Sequence, residues 1–175
     1  PVPVIWNCGG YEKAETLKML EGLVDIYLPD IKYFDSAPAL KYSGAENYFE
    51  VASAAVLEMF RQVGSIKTEE NGIAQSGIII RHMVLPGNIS QAVKVFSWVR
   101  ENLPSETYIS VMRQYTPFGK AKEMPPINRK LSASEYAIVK EKILALGFEN
   151  CFFQGKESST EEFIPNFNLE GVDLL

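Results

Sequence analysis

The sequence is poor in reactive side chains and holds no stretch fit to cross a bilayer. Its 175 residues include two cysteines and one histidine. Cys8 and Cys151 lie far apart and form no CxxC pair. A disulfide framework is therefore excluded, and a reducing, cytoplasmic setting is expected. No apolar run approaches the roughly 20 residues that a membrane helix needs, so no membrane partner is expected. The sequence opens at Pro1 without an initiator Met, and no signal peptide is expected. Positive charge is also scarce: 17 Lys and Arg against 22 Asp and Glu give a net charge of -5. No basic patch of the kind that tracks phosphates stands out, which removes nucleic acid from the expected partners. Internal repeats and low-complexity tracts are absent. So is a glycine-rich phosphate loop, which counts against a phosphate-binding barrel enzyme.

What is there suffices for a single core. Apolar residues make up 46% of the chain, and its length suits one domain over residues 1–175. Residues 2–6 read as an apolar strand, followed by the turn Asn7-Cys8-Gly9-Gly10. A short helix over 14–20, with Leu17 and Leu20 facing in, stops at Gly22. A strand follows over 24–33. Residues 34–47, with Pro38 and Gly44, read as a long polar loop. A helix over 48–63 buries Ala52, Ala55, Met59 and Val63, and Gly64 stops it. Residues 65–76 read as a loop in which 68–72 could turn a hairpin.

The continuous Ile run in 77–85 marks a strand buried on both faces. Pro86-Gly87-Asn88 ends it and caps a helix over 90–102, with Val93, Phe96, Val99 and Leu103 inward. Another strand covers 106–112. Ser132-Ala133-Ser134-Glu135 is a capping box that opens a last helix, with Tyr136, Val139, Ile143 and Leu146 as its stripe. Residues 151–153 read either as a final strand or as part of a tail over 151–175 packed on the body. Phe163, Pro165, Phe167 and Leu169 are that tail's expected anchors.

Strand and helix alternate four times, which predicts an α/β fold with a parallel sheet of about four strands and right-handed crossovers. Four strands are few for a closed barrel. The first strand would then leave an apolar edge bare, which sheets seldom do, and missing N-terminal strands would explain it. The chain enters that strand almost at once from Pro1, so a piece of a longer protein is expected.

The chemistry gathers at strand ends. On a strand of period two, Ile26 and Leu28 share a face with Asp30 and Lys32. An acid and a base thus sit together where parallel α/β folds bind ligands. A strand-end salt bridge at the surface is the plainer reading. Pro29 cannot donate to a ladder and is expected to mark its end. Arg81 and His82 interrupt the Ile strand and point to opposite faces. Arg81 needs an anion or several acceptors, whereas a lone His82 reads first as a hydrogen-bonded structural residue. Tyr33, Tyr42 and Tyr48 could line a mouth or simply pack the loop down.

Four segments, WNCGGYE, LEGLVDIYLPDIKYFD, IIIRHMVLPG and VMRQYTPFGKA, together resemble the radical S-adenosylmethionine family. Within it they are similar to relatives of the pyruvate formate-lyase activating enzymes, in particular an uncharacterised branch of that group. The resemblance runs over nearly the whole chain. It implies a partial (β/α) barrel: the last four of six βα units, with helices on the outer face.

In that family the barrel holds an iron–sulfur (4Fe-4S) cluster and S-adenosylmethionine at its carboxyl mouth. The cluster reduces the cofactor, and the resulting radical takes hydrogen from a glycine of a partner protein. The implied partners are thus a protein or small-molecule substrate of radical chemistry. The CxxxCxxC cluster motif and the glycine-rich stretch that meets the cofactor's amino group are absent here. The resemblance therefore implies cofactor contact without cluster binding, full activity belonging to a longer parent protein. Asp30 and Lys32 match the family's Asp-x-Lys motif. Arg81 matches an Arg on the fifth strand, and Asn7 replaces an Asp near a cation. Gln114 or Tyr115 replaces a His after the sixth strand. Residues 34–47 and 113–126 are the expected substrate-facing loops. The rival expectation is a non-catalytic α/β module that binds a partner protein.

Overall fold

The computed structural model describes residues 2–88 and 90–155. The elements run β1 (Ile5–Cys8), α1 (Ala14–Lys18), β2 (Ile26–Pro29), α2 (Ser36–Ser43), α3 (Tyr48–Val63), β3 (Lys67–Thr68), β4 (Ala74–Met83), α4 (Ala92–Asn102), β5 (Tyr108–Met112), α5 (Ala133–Leu144) and β6 (Cys151–Phe153). Short 3-10 turns cover Pro86–Asn88 and Gly119–Glu123. Strands β1, β2, β4, β5 and β6 are neighbours in that order, and every pair among them is parallel. Strand β3 pairs antiparallel with β4, so residues 68–74 do turn a hairpin.

The α/β reading holds, and the strand count is corrected. The parallel sheet has five strands, not about four, because Cys151–Phe153 pairs with β5. Residues 34–47 are corrected from a loop to one that contains helix α2. The expected anchors at Phe163, Pro165, Phe167 and Leu169 lie outside the described residues.

Helix α3 matches its sequence pattern: Ala52, Ala55 and Met59 are fully buried and Gly64 closes it at φ 67°. Helix α4 begins at Ala92, and its inward stripe is Ala92, Val95, Phe96 and Val99, with Val93 only half-buried. In α5 the capping box forms in full: Ser132 Oγ accepts from the Glu135 amide, and the Glu135 carboxylate accepts from the Ser132 amide.

The core has a side. Tyr27, Ile31, Ile78, Ile80, Ile109 and Val111 are 0% exposed and pack in one cluster with α1 to α5. These residues share one parity along their strands and therefore one face of the sheet. The registers Asn7 with Leu28, Ile79 with Tyr108 and Arg81 with Ser110 put the other parity on the opposite face. There Asn7 and Phe152 are exposed, Leu28, Ile79, Met83, Tyr108 and Ser110 are half-buried, and Ile26 and Met112 are buried. The helices thus form a single layer, and the second face of the sheet is uncovered among the described residues. Fully buried parallel strands normally carry helices on both faces or close on themselves.

Candidate functional site

The carboxyl ends of β1, β2 and β4 meet where the sequence concentrates its charge. The β2–β4 ladder runs Ile26 with Gly77 and Tyr27 with Ile78, then lapses. Pro29 is the cause: it has no N–H to offer β4. The ladder does not end there, as the sequence reading had it. It resumes one residue later, as an isolated parallel bridge between Asp30 and Arg81. The Asp30 amide donates to the Cys8 carbonyl at 3.1 Å, and the Ile31 amide donates to the Arg81 carbonyl at 2.9 Å. Asp30 is thereby fixed between β1 and β4.

Gly10 makes that approach possible. Its φ is +80°, and a Cβ there would stand 2.3 Å from the Asp30 carbonyl oxygen. Only glycine tolerates both conditions.

On the uncovered face the side chains converge. Lys32 Nζ donates to Asp30 Oδ2 at 2.9 Å. Arg81 Nε lies 3.1 Å from Asp30 Oδ1. The contact is an ion pair only: no N–H is aimed at Oδ1, which is buried and accepts no hydrogen bond. Arg81 Nη1 donates to Asn7 Oδ1 at 2.9 Å, while Nη2 reaches only the Met112 thioether at 3.8 Å. The structure brings Asp30 and Lys32 together, as the strand periodicity predicted, and joins Arg81 to Asp30 and Asn7 to Arg81, two residues that the resemblance had added. Gln114 stands apart, its Oε1 accepting from Gln154 Nε2 at 2.9 Å. Gln154 Oε1 in turn accepts from the Arg113 amide. Tyr115 turns its hydroxyl to the Ile127 carbonyl at 2.6 Å.

Two residues brace the cluster from behind, on the helical side. His82 is fully buried; Nδ1 donates to the Ile31 carbonyl and Nε2 accepts from Ser90 Oγ at 3.1 Å. Ser90 Oγ also accepts from the Leu85 amide. Burial pushes the His82 pKa down to about 4, so the ring is neutral at pH 7. This is the structural histidine of the plainer reading. Tyr48 was expected only as a packing or mouth residue. It is 3% exposed, accepts from the Lys32 amide at 2.8 Å and donates to the Asp30 carbonyl at 3.0 Å, with the Gly9 carbonyl at 3.3 Å. Burial raises its phenol pKa well above the usual value, so the hydroxyl keeps the proton it donates. Tyr11 stacks on its ring and Tyr33 meets it edge-on, each with centroids at 5.5 Å.

Cys8 ends β1, while Cys151 begins β6 at the opposite end of the sheet. Burial above all, then the nearby Glu12 and Asp30 carboxylates, push the Cys8 thiol up to about 12. The described residues contain no group of three or more His, Cys, Asp or Glu side chains that could hold a metal ion. No described helix is long and apolar enough to cross a membrane.

Helix α2 and the segment after β5 meet at the same end, where the Tyr42 hydroxyl donates to the Pro125 carbonyl at 3.3 Å. Comparison with known proteins adds one relative. No protein-family model matches the chain. It is similar to uncharacterized protein MJ0674 of Methanocaldococcus jannaschii, with 36% identity over 135 residues. That stretch is 77% of this chain and 36% of the relative, so the chain spans about a third of the length of the curated protein that it matches.

Proposed function

We propose that the chain is the cofactor-binding part of a radical S-adenosylmethionine enzyme of the pyruvate formate-lyase activating type, its sheet forming one arc of a (β/α) barrel. One observation carries the reading: Asn7, Asp30, Lys32 and Arg81 meet at the carboxyl end of a parallel sheet, on the face that no described helix covers. Ligands of parallel α/β folds bind at that end.

The side chains fit S-adenosylmethionine by charge. Lys32 and Arg81 share the carboxylate of Asp30, and each keeps further N–H donors for a ligand carboxylate. Asp30 balances these cations, its Oδ1 buried against Arg81 Nε. Asn7 is neutral and holds Arg81 in place. When bound and reduced, the cofactor supplies hydrogen-atom abstraction; the chain supplies position and electrostatics. The segment over 34–47 and the one after β5, joined through Tyr42 and Pro125, are the substrate-facing parts in this reading.

The iron–sulfur cluster does not fit this chain's own residues. Its two cysteines stand at opposite ends of the sheet, and burial keeps both thiols protonated rather than in the thiolate form that iron requires. In this reading the cluster belongs to other parts of a longer protein.

Calorimetric titration of the chain with S-adenosylmethionine tests the reading. Binding in the wild type, weakened about tenfold or more by Lys32→Ala and by Arg81→Ala, is the expected result, since bonds to charged groups contribute about 1.5–3 kcal/mol. Anaerobic reconstitution of the longer protein should give a brown cluster and cofactor cleavage. A chain that binds no cofactor, together with a longer protein that takes up no iron, would end the proposal. A protein-binding module is the second reading, favoured by the apolar residues open at the β1 edge: Val4 at 50%, Ile5 at 54% and Trp6 at 40% exposure.

A further inference from the structure

We propose that the groove between α4 and α5 is the dock for residues 161–170 of this same chain, an acidic segment with apolar side chains set within it. The groove is a cleft of about 360 Å³ walled by Val84 and Leu85 after β4, Val93 of α4, and Ile138 and Val139 of α5. Ile138 is 54% exposed beside it. A lone exposed apolar residue is ordinary, but this one borders a cleft of a size that holds ligands. The groove shares no residue with the charged cluster, so the docking stands or falls apart from the cofactor reading.

The rim sets the sign of the occupant. Its carboxylate, Glu135, is already taken by Arg129 at 2.8 Å and by the amides of Gly87 and Ser132. Its cations are less engaged. Lys142 is exposed and makes no ion pair among the described residues, and Lys94 comes no nearer than 3.8 Å to Asp35. An occupant that is apolar and negatively charged therefore fits. Residues 161–170 have that chemistry: Phe163, Ile164, Phe167 and Leu169 stand among Glu161, Glu162 and Glu170, and no Lys or Arg follows Lys156. The fold also delivers the segment. The Gln154 amide donates to the Val111 carbonyl at 3.2 Å, which also accepts from the Tyr136 hydroxyl of α5 at 2.8 Å. Lys140 of α5 lies over the Phe153 ring at 5.1 Å. The chain thus leaves β6 against the helix that carries Ile138 and Lys142. Residues 156–160, when extended, reach roughly 17 Å, more than the about 10 Å across a helix. A tether that short holds the segment near the groove at an effective concentration in the millimolar range.

Hydrogen exchange on the full 175-residue chain, read over residues 161–170, tests the docking. In the wild type, uptake there should be slowed about tenfold or more against a synthetic peptide of the same residues. Ile138→Asp and Lys142→Glu alter exposed side chains, so each should remove most of that slowing and leave the thermal midpoint nearly unchanged. Lys18→Glu, the same charge change on α1, should leave the slowing in place. Glu161→Lys with Glu162→Lys should restore it in the Lys142→Glu chain. Wild-type uptake as fast as that of the peptide overturns the proposal, and so does slowing that survives both Ile138→Asp and Lys142→Glu. Slowing that grows with protein concentration also overturns it, since the groove would then hold the segment of a second copy.

Discussion

Asp30 answers two cations with one carboxylate, and its position depends on residues whose side chains take no part in that cluster. Gly10 is the sharpest of these. An alanine there would need both a positive φ and 2.3 Å of clearance from the Asp30 carbonyl. Gly10→Ala should cost about 2 kcal/mol or more, read as a lower urea midpoint with an unchanged slope. His82 adds a pH dependence. Its folded pKa, about 4, is below the ordinary histidine value of 6.5, so the unfolded chain takes up the proton first. The contribution is whole above pH 6.5 and falls as pH drops toward 4, by at most about 3 kcal/mol. Unfolding free energy followed over that window should fall in the wild type, and its slope should be shallower in His82→Gln. At this scale much of the cluster was legible: period two alone places Asp30 and Lys32 together, and a charged Arg81 in an Ile strand demands acceptors. Tyr48 was not legible. Its hydroxyl reaches the strand end from a helix that begins 18 positions after Asp30, and only tertiary packing brings them together.

Among elements, the misreadings have local causes. Pro38 and Gly44 look like loop punctuation, yet Pro38 stands third in α2, where its missing N–H costs nothing, and Gly44 caps the helix at φ 63°. Gln91 takes the cap position of α4 with φ 51°, which shifts its start past Ser90 and its buried stripe to Ala92, Val95, Phe96 and Val99. The α5 start was legible to the residue because a capping box has a fixed spacing. Ser132→Ala should therefore cost about 1 kcal/mol, seen as a lower thermal midpoint. The same reasoning did not reach β6: three residues, Cys-Phe-Phe, carry too little periodicity to separate a strand from a packed tail.

At the scale of the whole molecule, the alternation of strands and helices announced a parallel α/β architecture, but a tally of patterns cannot say which face the helices choose. The uncovered face follows from the register, with all the fully buried strand residues on one parity. Among the described residues the outer edge of β1 has no partner strand either. Val4 and Cys8 carbonyls accept from β2, so the amides and carbonyls of Ile5 and Asn7 face away from the sheet. An apolar edge of that kind is prone to pair with another strand. Sedimentation of the isolated chain should show concentration-dependent self-association, and Ile5→Lys should suppress it with little change in the thermal midpoint. Equal association of both proteins would show that this edge is not the contact.

The single hydroxyl of Tyr48 ties events in different parts of the chain to one clock. Tyr48 is the first residue of α3, and its phenol latches the amide of Lys32 and the carbonyl of Asp30. If the first turn of that helix frays, the latch opens and the strand end loosens with it. The deuterium uptake of the Lys32 amide should then rise and fall with that of the opening turn of α3, and Tyr48→Phe should quicken the first while leaving the second nearly as it was.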